Sequence, residues 1–155
     1  MSETSTTEEP LVVPPIHHFD VPEDATIDSL KCFSPMSVHC NANFTDEHFG
    51  TPIPAGLVAG GFYDMGKEFS SEEAVDTIGR LARQTGRKLR VGTPLELLSF
   101  LYDFAEVLAR PERFIALGKV WNNGVFGYYD GKYFDILVWG GGWYANCKVF
   151  IVEDL

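Results

Sequence analysis

The sequence predicts an α+β fold in which two helices pack on an antiparallel β-sheet meander. Two observations favour this fold class: two helix start signals with apolar stripes lie in the middle of the chain, and strand-like segments rich in aromatic and β-branched residues follow them. The chain has 155 residues, of which 45% are hydrophobic and 22% charged. Because this is the size and composition of one ordinary domain, we expect a single hydrophobic core.

Both helices are predicted from their ends. In the first, Ser70 is the N-cap of a capping box that Glu73 completes, and Gly86 stands where a left-handed C-terminal residue is expected. In the second, Thr93 is the N-cap and Glu96 completes the box. Apolar residues at helical spacing predict the buried faces, which are Ala74, Val75, Ile78, Leu81 and Ala82 in the first helix, and Leu97, Leu98, Leu101, Phe104, Ala105 and Leu108 in the second.

Strand signals fill the rest of the C-terminal half. The segments "FIALGKVW", "VFGYY", "KYFDILVW" and "WYANCKVFIVED" follow one another, and Asp130-Gly131 between the second and third is typical of a type I′ hairpin turn. They predict a meander of three or four antiparallel strands. Two shorter strands are expected earlier, one around Leu57 to Tyr63 and one in "RKLRV" between the helices.

The formal net charge of -10 is concentrated at the start of the chain. Residues 1–30 hold seven carboxylates and no Lys or Arg, whereas residues 31–155 hold 15 acids and 12 bases. We therefore expect an acidic, partly disordered arm over 1–30, with a short helix near Thr26 to Leu30, and one α+β domain over 31–155. The arm is expected to dock across the sheet or to engage a partner. The near-neutral body does not favour a nucleic-acid partner.

Composition also indicates the compartment. No apolar run approaches the roughly 18 residues of a membrane span, and the first fifteen residues lack the features of a secretory signal. Three cysteines, an odd number, do not suggest a disulfide framework. We expect a cytoplasmic protein that does not bind membranes.

The order of a helix, a glycine turn, a short strand, "TPLELLSFL" and a meander ending in "NCKVFIVED" resembles the C-type lectin-like fold. The segments "FTDEHF", "FSSEEAVDTIGRLARQTGRKLRVGTPLELLSF" and "FIALGKVW" look like those of an uncharacterised bacterial family that resembles this fold and the formylglycine-generating-type enzymes. The likeness covers roughly Phe44 to Val152 and implies a fold without an activity. Because no Glu-Pro-Asn loop occurs and Cys147 has no second cysteine nearby, neither calcium-mediated sugar binding nor formylglycine-type catalysis is expected.

The candidate binding site is the aromatic band "YYDGKYFDILVWGGGWYANC", in which both faces of the predicted strands carry large side chains. One face can pack on the helices, and the other needs a different cover: the arm, a second protomer or a ligand. Tyr and Trp suit interfaces because each combines a wide apolar surface with a hydrogen-bonding tip. The candidate residues are Trp121, Tyr128, Tyr129, Trp139, Trp143 and Tyr144.

Other constellations fit simpler interpretations. His17, His18, His39 and Cys40, with Cys32 nearby, are possible zinc ligands, but their spacing matches no zinc motif, so no metal or other cofactor is predicted. Gly140 to Gly142 fit a hairpin better than a phosphate loop, because no helix follows. The basic cluster is interpreted as a solvated helix face and its exit turn, with an anion or partner contact as the other interpretation; it comprises Arg80, Arg83, Arg87, Lys88 and Arg90.

The functional expectation is a recognition or assembly module, not an enzyme, that binds a protein partner or a second copy of itself through the aromatic band. The other hypothesis is a small hydrolase or transferase that uses a carboxylate with a histidine. Its candidate acids are Asp64, Glu68, Asp130 and Asp135.

Overall fold

A mixed β-sheet runs through the molecule, with one helix on each of its faces, in the computed structural model of the chain. The structure describes residues 11–23, 37–40, 56–104, 112–117, 124–129, 133–139, 143, 145 and 147–154. The helices within these residues are α1 (Ser71–Thr85) and α2 (Pro94–Phe104). The strands are β1 (His17–Val21), β2 (Ser37–Cys40), β3 (Gly56–Asp64), β4 (Leu89–Val91), β5 (Glu112–Leu117), β6 (Gly124–Tyr129), β7 (Tyr133–Trp139) and β8 (Cys147–Glu153). The predicted α+β class with two helices is confirmed.

The strand order is β1-β3-β8-β5-β6-β7-β2, and β4 pairs with β8 outside this path. Strands β5, β6 and β7 form the predicted antiparallel meander. The expectation that the last strand closes this meander is wrong, because β8 lies beside β5 in parallel and beside β3 in antiparallel orientation. Strand β2 pairs in parallel with β7, so the sheet is mixed.

Strand β8 lies at the centre of the sheet and of the core. One of its edges pairs with β3 from Lys148 to Glu153. Its other edge is shared, since β5 pairs with residues 147–149 and β4 with residues 151–153. Cys147 and residues 149–152 are fully buried. A strand covered on both faces and both edges reads as a continuous apolar run, as "VFIV" does here.

Helix α1 packs on one face of β8. Its capping box forms as predicted: the Glu73 amide donates to Ser70 Oγ at 3.1 Å and the Ser70 amide to Glu73 Oε1 at 3.2 Å. Gly86 ends the helix with a φ of 68°, which glycine adopts without strain. The buried stripe of the helix packs in one core cluster with alternate residues of β8; the cluster includes Ala74, Ile78, Leu81, Cys147, Val149 and Ile151.

Helix α2 packs on the opposite face. The Glu96 amide donates to Thr93 Oγ1 at 3.2 Å, which confirms the predicted N-cap. The Phe100 ring lies 5.5 Å from the Phe62 and Phe150 rings and 5.5 Å from that of Phe19. Because Phe150 alternates with the β8 residues under α1, the two helices sandwich the sheet. The sequence pattern had predicted both on one face.

The N-terminal segment belongs to the sheet. Strand β1 pairs with β3 over its whole length, and Phe19 and Val21 are buried. Just before β1, the Pro15 carbonyl oxygen passes so close to Gly61 that any Cβ at Gly61 would collide with it. Residues 17–21, which belong to the predicted acidic arm, therefore form an edge strand of the sheet. The short helix expected near Thr26 to Leu30 lies outside the described residues.

Candidate functional site

Trp143 is a core residue. Its amide donates to the Phe69 carbonyl at 2.8 Å and its carbonyl accepts from the Phe69 amide at 3.1 Å. The indole Nε1 donates to Ser71 Oγ at 3.0 Å, and the residue is 3% exposed. The prediction that Trp143 contributes to a binding surface is not supported by this burial. Trp143 instead links the segment before β8 to the start of α1.

The other aromatic candidates lie on the meander or outside the described residues. Tyr128 pairs in register with Asp135 across β6 and β7, Tyr129 with Phe134, and Trp139 with Gly124. Because successive strand residues alternate between faces, Tyr128 and Trp139 belong to one face of the sheet and Tyr129 to the other. Trp121 and Tyr144 fall outside the part of the chain that the structure describes.

Both helices pack on the same half of the sheet. The main contacts of α1 are with β4, those of α2 are with β1 and β5, and both cores centre on β8. Strands β6, β7 and β2 follow β5 in the strand order and form its other half. We call these three strands the outer sheet. Among the described elements, the main helix contacts stop at β5, and the aromatic candidates begin at β6.

The carboxylates of the catalytic hypothesis are dispersed, with one exception. Asp64 and Glu68 are exposed, and Asp64 Oδ1 accepts from the Gly66 amide at 2.9 Å in a local turn. Asp130 lies outside the described residues. Asp135, in contrast, pairs in register with His39 of β2 on one side and Tyr128 of β6 on the other. Register partners share a face, so an acid, an imidazole and a phenol residue form one row.

The possible zinc ligands are not brought together along the sheet. His17 and His18 lie on β1, whereas His39 and Cys40 lie on β2, at the opposite end of the strand order. Cys32 is not among the described residues. Within the described ranges, no group of three or more His, Cys, Asp or Glu residues is placed to hold a metal ion. Cys147 packs in the core cluster under α1.

The four arginines of the basic cluster divide into two pairs, and its fifth member, Lys88, is exposed. The first pair, Arg87 and Arg90, forms ion pairs within the domain: Arg87 donates to Glu153 at 2.6 and 2.8 Å. Arg90 donates to both oxygens of Glu96 at 2.6 and 2.7 Å and to Asp154 at 2.9 and 3.0 Å. The hydrogen bonds to Glu96 and then Asp154 raise the pKa of Arg90 although desolvation opposes them. Arg87 and Arg90 therefore stabilise the domain.

The second pair, Arg80 and Arg83, lines a groove of about 510 Å³ on the outer side of α1. Arg80 and Arg83 lie in its walls with Glu73 and Asp76, and Lys67 pairs with Glu73 at 3.6 Å. Val75 also lines it and is 49% exposed, although the apolar pattern had placed it on the buried face. Burial raises the pKa of the neighbouring Tyr63, and the charge of Arg80 partly offsets this effect. Helical spacing of the charged residues predicts an exposed face of α1 but not a groove on it.

No protein-family model, no curated protein and no solved structure matches this chain. No helix among the described residues is long and apolar enough to cross a lipid bilayer. Function is therefore inferred from the geometry of this chain, which offers two surfaces: the outer sheet and the groove on α1.

Proposed function

We propose that this chain is a non-catalytic recognition or assembly module that binds a protein partner, or a second copy of itself, through the outer sheet. One observation carries this proposal: both helices pack on the β1-β3-β8-β5 half, while aromatic residues continue onto β6 and β7. Tyr128 and Trp139 share a face there. Tyr and Trp dominate interface energetics because they bury a large area at a small entropic cost.

A C-type lectin-like fold is part of the same proposal. Its support is the order of elements from α1 through β4 and α2 to the meander and β8, which is the order on which the sequence resemblance depends. Fold alone assigns no ligand, so the binding role is argued from the outer sheet and not from the fold.

The test compares Tyr128→Ser and Trp139→Ser with Leu57→Ser, a control at an apolar residue that is 54% exposed on β3. Light scattering across a range of protein concentrations measures self-association. Crosslinking in the same cell lysate, with each variant as bait, measures partner binding. Trp143→Ala is unsuitable here, because the ring is buried and its loss would destabilise the domain.

We expect each outer-sheet variant to weaken association by roughly tenfold or more, as interface hot spots do, with an unchanged circular dichroism spectrum. The control should behave as wild type. The proposal fails if wild type is monomeric at every concentration and the crosslinked proteins are the same for wild type and the outer-sheet variants.

A second candidate function is acid–base catalysis, and the row of His39, Asp135 and Tyr128 favours it. A carboxylic acid, an imidazole and a phenol are residue types that general acid–base catalysis uses, and here they occupy neighbouring register positions. Turnover of p-nitrophenyl acetate or p-nitrophenyl phosphate above the buffer rate, lost in Asp135→Asn and His39→Gln but kept in Asp20→Asn, would support it. Absence of turnover in the wild type with both substrates would exclude these two reactions.

A further inference from the structure

The groove on α1 contains one straight polar stripe. Glu73, Thr77, Arg80 and Gln84 are spaced by four, three and four residues, so they lie above one another on one side of the helix. Arg83 and Asp76 flank this stripe, and all of these residues except Gln84 are among those that line the groove. The stripe therefore has two arginines near its C-terminal end and two carboxylates near its N-terminal end.

The N-terminal segment contacts this stripe at Gln84. The backbone amide of Leu11 donates to Gln84 Oε1 at 2.9 Å. Leu11, Val13 and Ile16 pack partly buried against the same core cluster as α1. Residues 11–16 thus run beside the helix, and the chain that precedes Leu11 starts next to Gln84, one helical turn from Arg80.

The ten residues before Leu11 have the right charge for the arginine end of the groove. They hold Glu3, Glu8 and Glu9 and no Lys or Arg. Glu9 is two residues from Leu11, about 7 Å in extended chain, and one turn of α1 advances about 5.4 Å. Both Glu8 and Glu9 are therefore within reach of Arg80 and Arg83.

The segment is also long enough to follow the whole groove. The twelve residues from Glu73 to Gln84 span about 16 Å along the helix axis, whereas ten extended residues span about 33 Å. Proline at position 10 disfavours a helical conformation of the residue before it.

We propose that residues 1–10 of this chain dock along the groove of α1, with Glu8 and Glu9 against Arg80 and Arg83. The groove is then a site for an acidic, extended peptide, and the chain supplies that peptide itself. A tether through Leu11 gives the segment a millimolar effective concentration, so it outcompetes the same segment of a second copy at micromolar protein concentration. This inference is independent of the outer sheet, which lies elsewhere in the strand order.

Hydrogen exchange of the N-terminal peptide, measured by mass spectrometry on the full chain at low salt, tests this docking. The variants are Arg80→Gln/Arg83→Gln in the groove and Glu8→Arg/Glu9→Arg in the segment, which leaves the folded domain untouched. Lys88→Gln removes an exposed cation just beyond α1 and is the matched control. The combination of Glu8→Arg/Glu9→Arg with Arg80→Glu/Arg83→Glu restores opposite charges.

We expect amides of residues 2–9 in the wild type to exchange more slowly than an unstructured peptide, and either double variant to accelerate them by about two- to tenfold. Lys88→Gln should have no effect, and the charge-reversed combination should recover most of the protection. Exchange at the unstructured rate in the wild type, or protection that survives Arg80→Gln/Arg83→Gln in a folded protein, would overturn the proposal. Protection that increases with protein concentration would show that a second copy supplies the segment, and would overturn its intramolecular form.

Discussion

At the scale of single residues, the molecule uses Trp143 as a structural anchor. A ring that is 3% exposed and donates to Ser71 Oγ at 3.0 Å joins two segments that are 72 residues apart in the chain. Its burial could not be predicted, because the apolar alternation of the meander ends at Trp139 and the glycines that follow leave no periodic pattern. Aromatic content alone does not distinguish a core ring from an exposed one.

Trp143→Ala is expected to lower the free energy of unfolding by about 3–5 kcal/mol, because it removes a large buried ring and leaves a cavity. Trp143→Phe keeps most of the volume but loses the hydrogen bond to Ser71, so a cost of about 1 kcal/mol is expected. Urea unfolding followed by circular dichroism measures both. If both variants lost the same free energy of unfolding, the buried volume of the ring would not be its main contribution to stability.

The same substitution, glycine to alanine, should change stability in opposite directions at two positions. Gly61→Ala would place a Cβ against the Pro15 carbonyl, so we expect a loss of about 1–3 kcal/mol as residues 11–16 are displaced. Gly79→Ala in α1 meets only Arg83 Nη1, at 3.5 Å, so the higher helix propensity of alanine should stabilise the protein by about 1 kcal/mol. Thermal unfolding distinguishes these outcomes by the sign of the change in Tm.

At the scale of elements, the helix ends followed from short-range signals. The two capping boxes and Gly86 form as predicted, since each depends on residues three or fewer positions apart or on one backbone angle. The sequence did not reveal that Glu96 also binds Arg90, or that Asp154 joins them. Such contacts depend on β4 and β8 becoming neighbours, and no local pattern encodes that pairing.

The pair of Arg87 and Glu153 makes stability depend on pH. Hydrogen bonds from Arg87 hold the pKa of the Glu153 carboxyl below its ordinary value of 4.5. The unfolded chain therefore takes up the proton at higher pH than the folded chain does. The stabilisation is complete above about pH 4.5 and is lost as the pH falls through the lowered folded-state pKa.

We expect the difference in Tm between wild type and Arg87→Gln to be largest at about pH 6 and to shrink towards about pH 3. Lys88→Gln, at the neighbouring exposed lysine, should show no such trend. A difference that grows as the pH falls would contradict the assigned direction of the Glu153 shift.

At the scale of the whole molecule, the sheet separates two cores. The side of α1 holds Ile78 and Leu81 with alternate residues of β8, and the side of α2 holds Phe100 with Phe150, Phe62 and Phe19. The sequence predicted the class of the fold and most of its elements. It did not predict the division into two faces, because an apolar stripe specifies that a helix is buried but not against which side.

Substitutions in different cores should therefore be additive. We expect the loss for the combination of Ile78→Val and Phe100→Leu to equal the sum of the single losses within about 0.5 kcal/mol. Phe100→Leu combined with Phe62→Leu, whose rings lie 5.5 Å apart, should depart from additivity by more than that. Urea unfolding of the single and double variants measures both coupling energies. A strong coupling between Ile78 and Phe100 would argue against two separate cores.

The central position of β8 also governs the order in which the native structure can arise. Strands β3, β4 and β5 are all synthesised before β8. The edge of β3 that pairs with β8 has its partner about ninety residues later in the chain. Until β8 leaves the ribosome, these strands have open hydrogen-bonding edges that other chains can occupy. Proteins with long-range strand pairing of this kind fold slowly. The nascent chain can therefore aggregate until β8 has been synthesised and has paired with its neighbours.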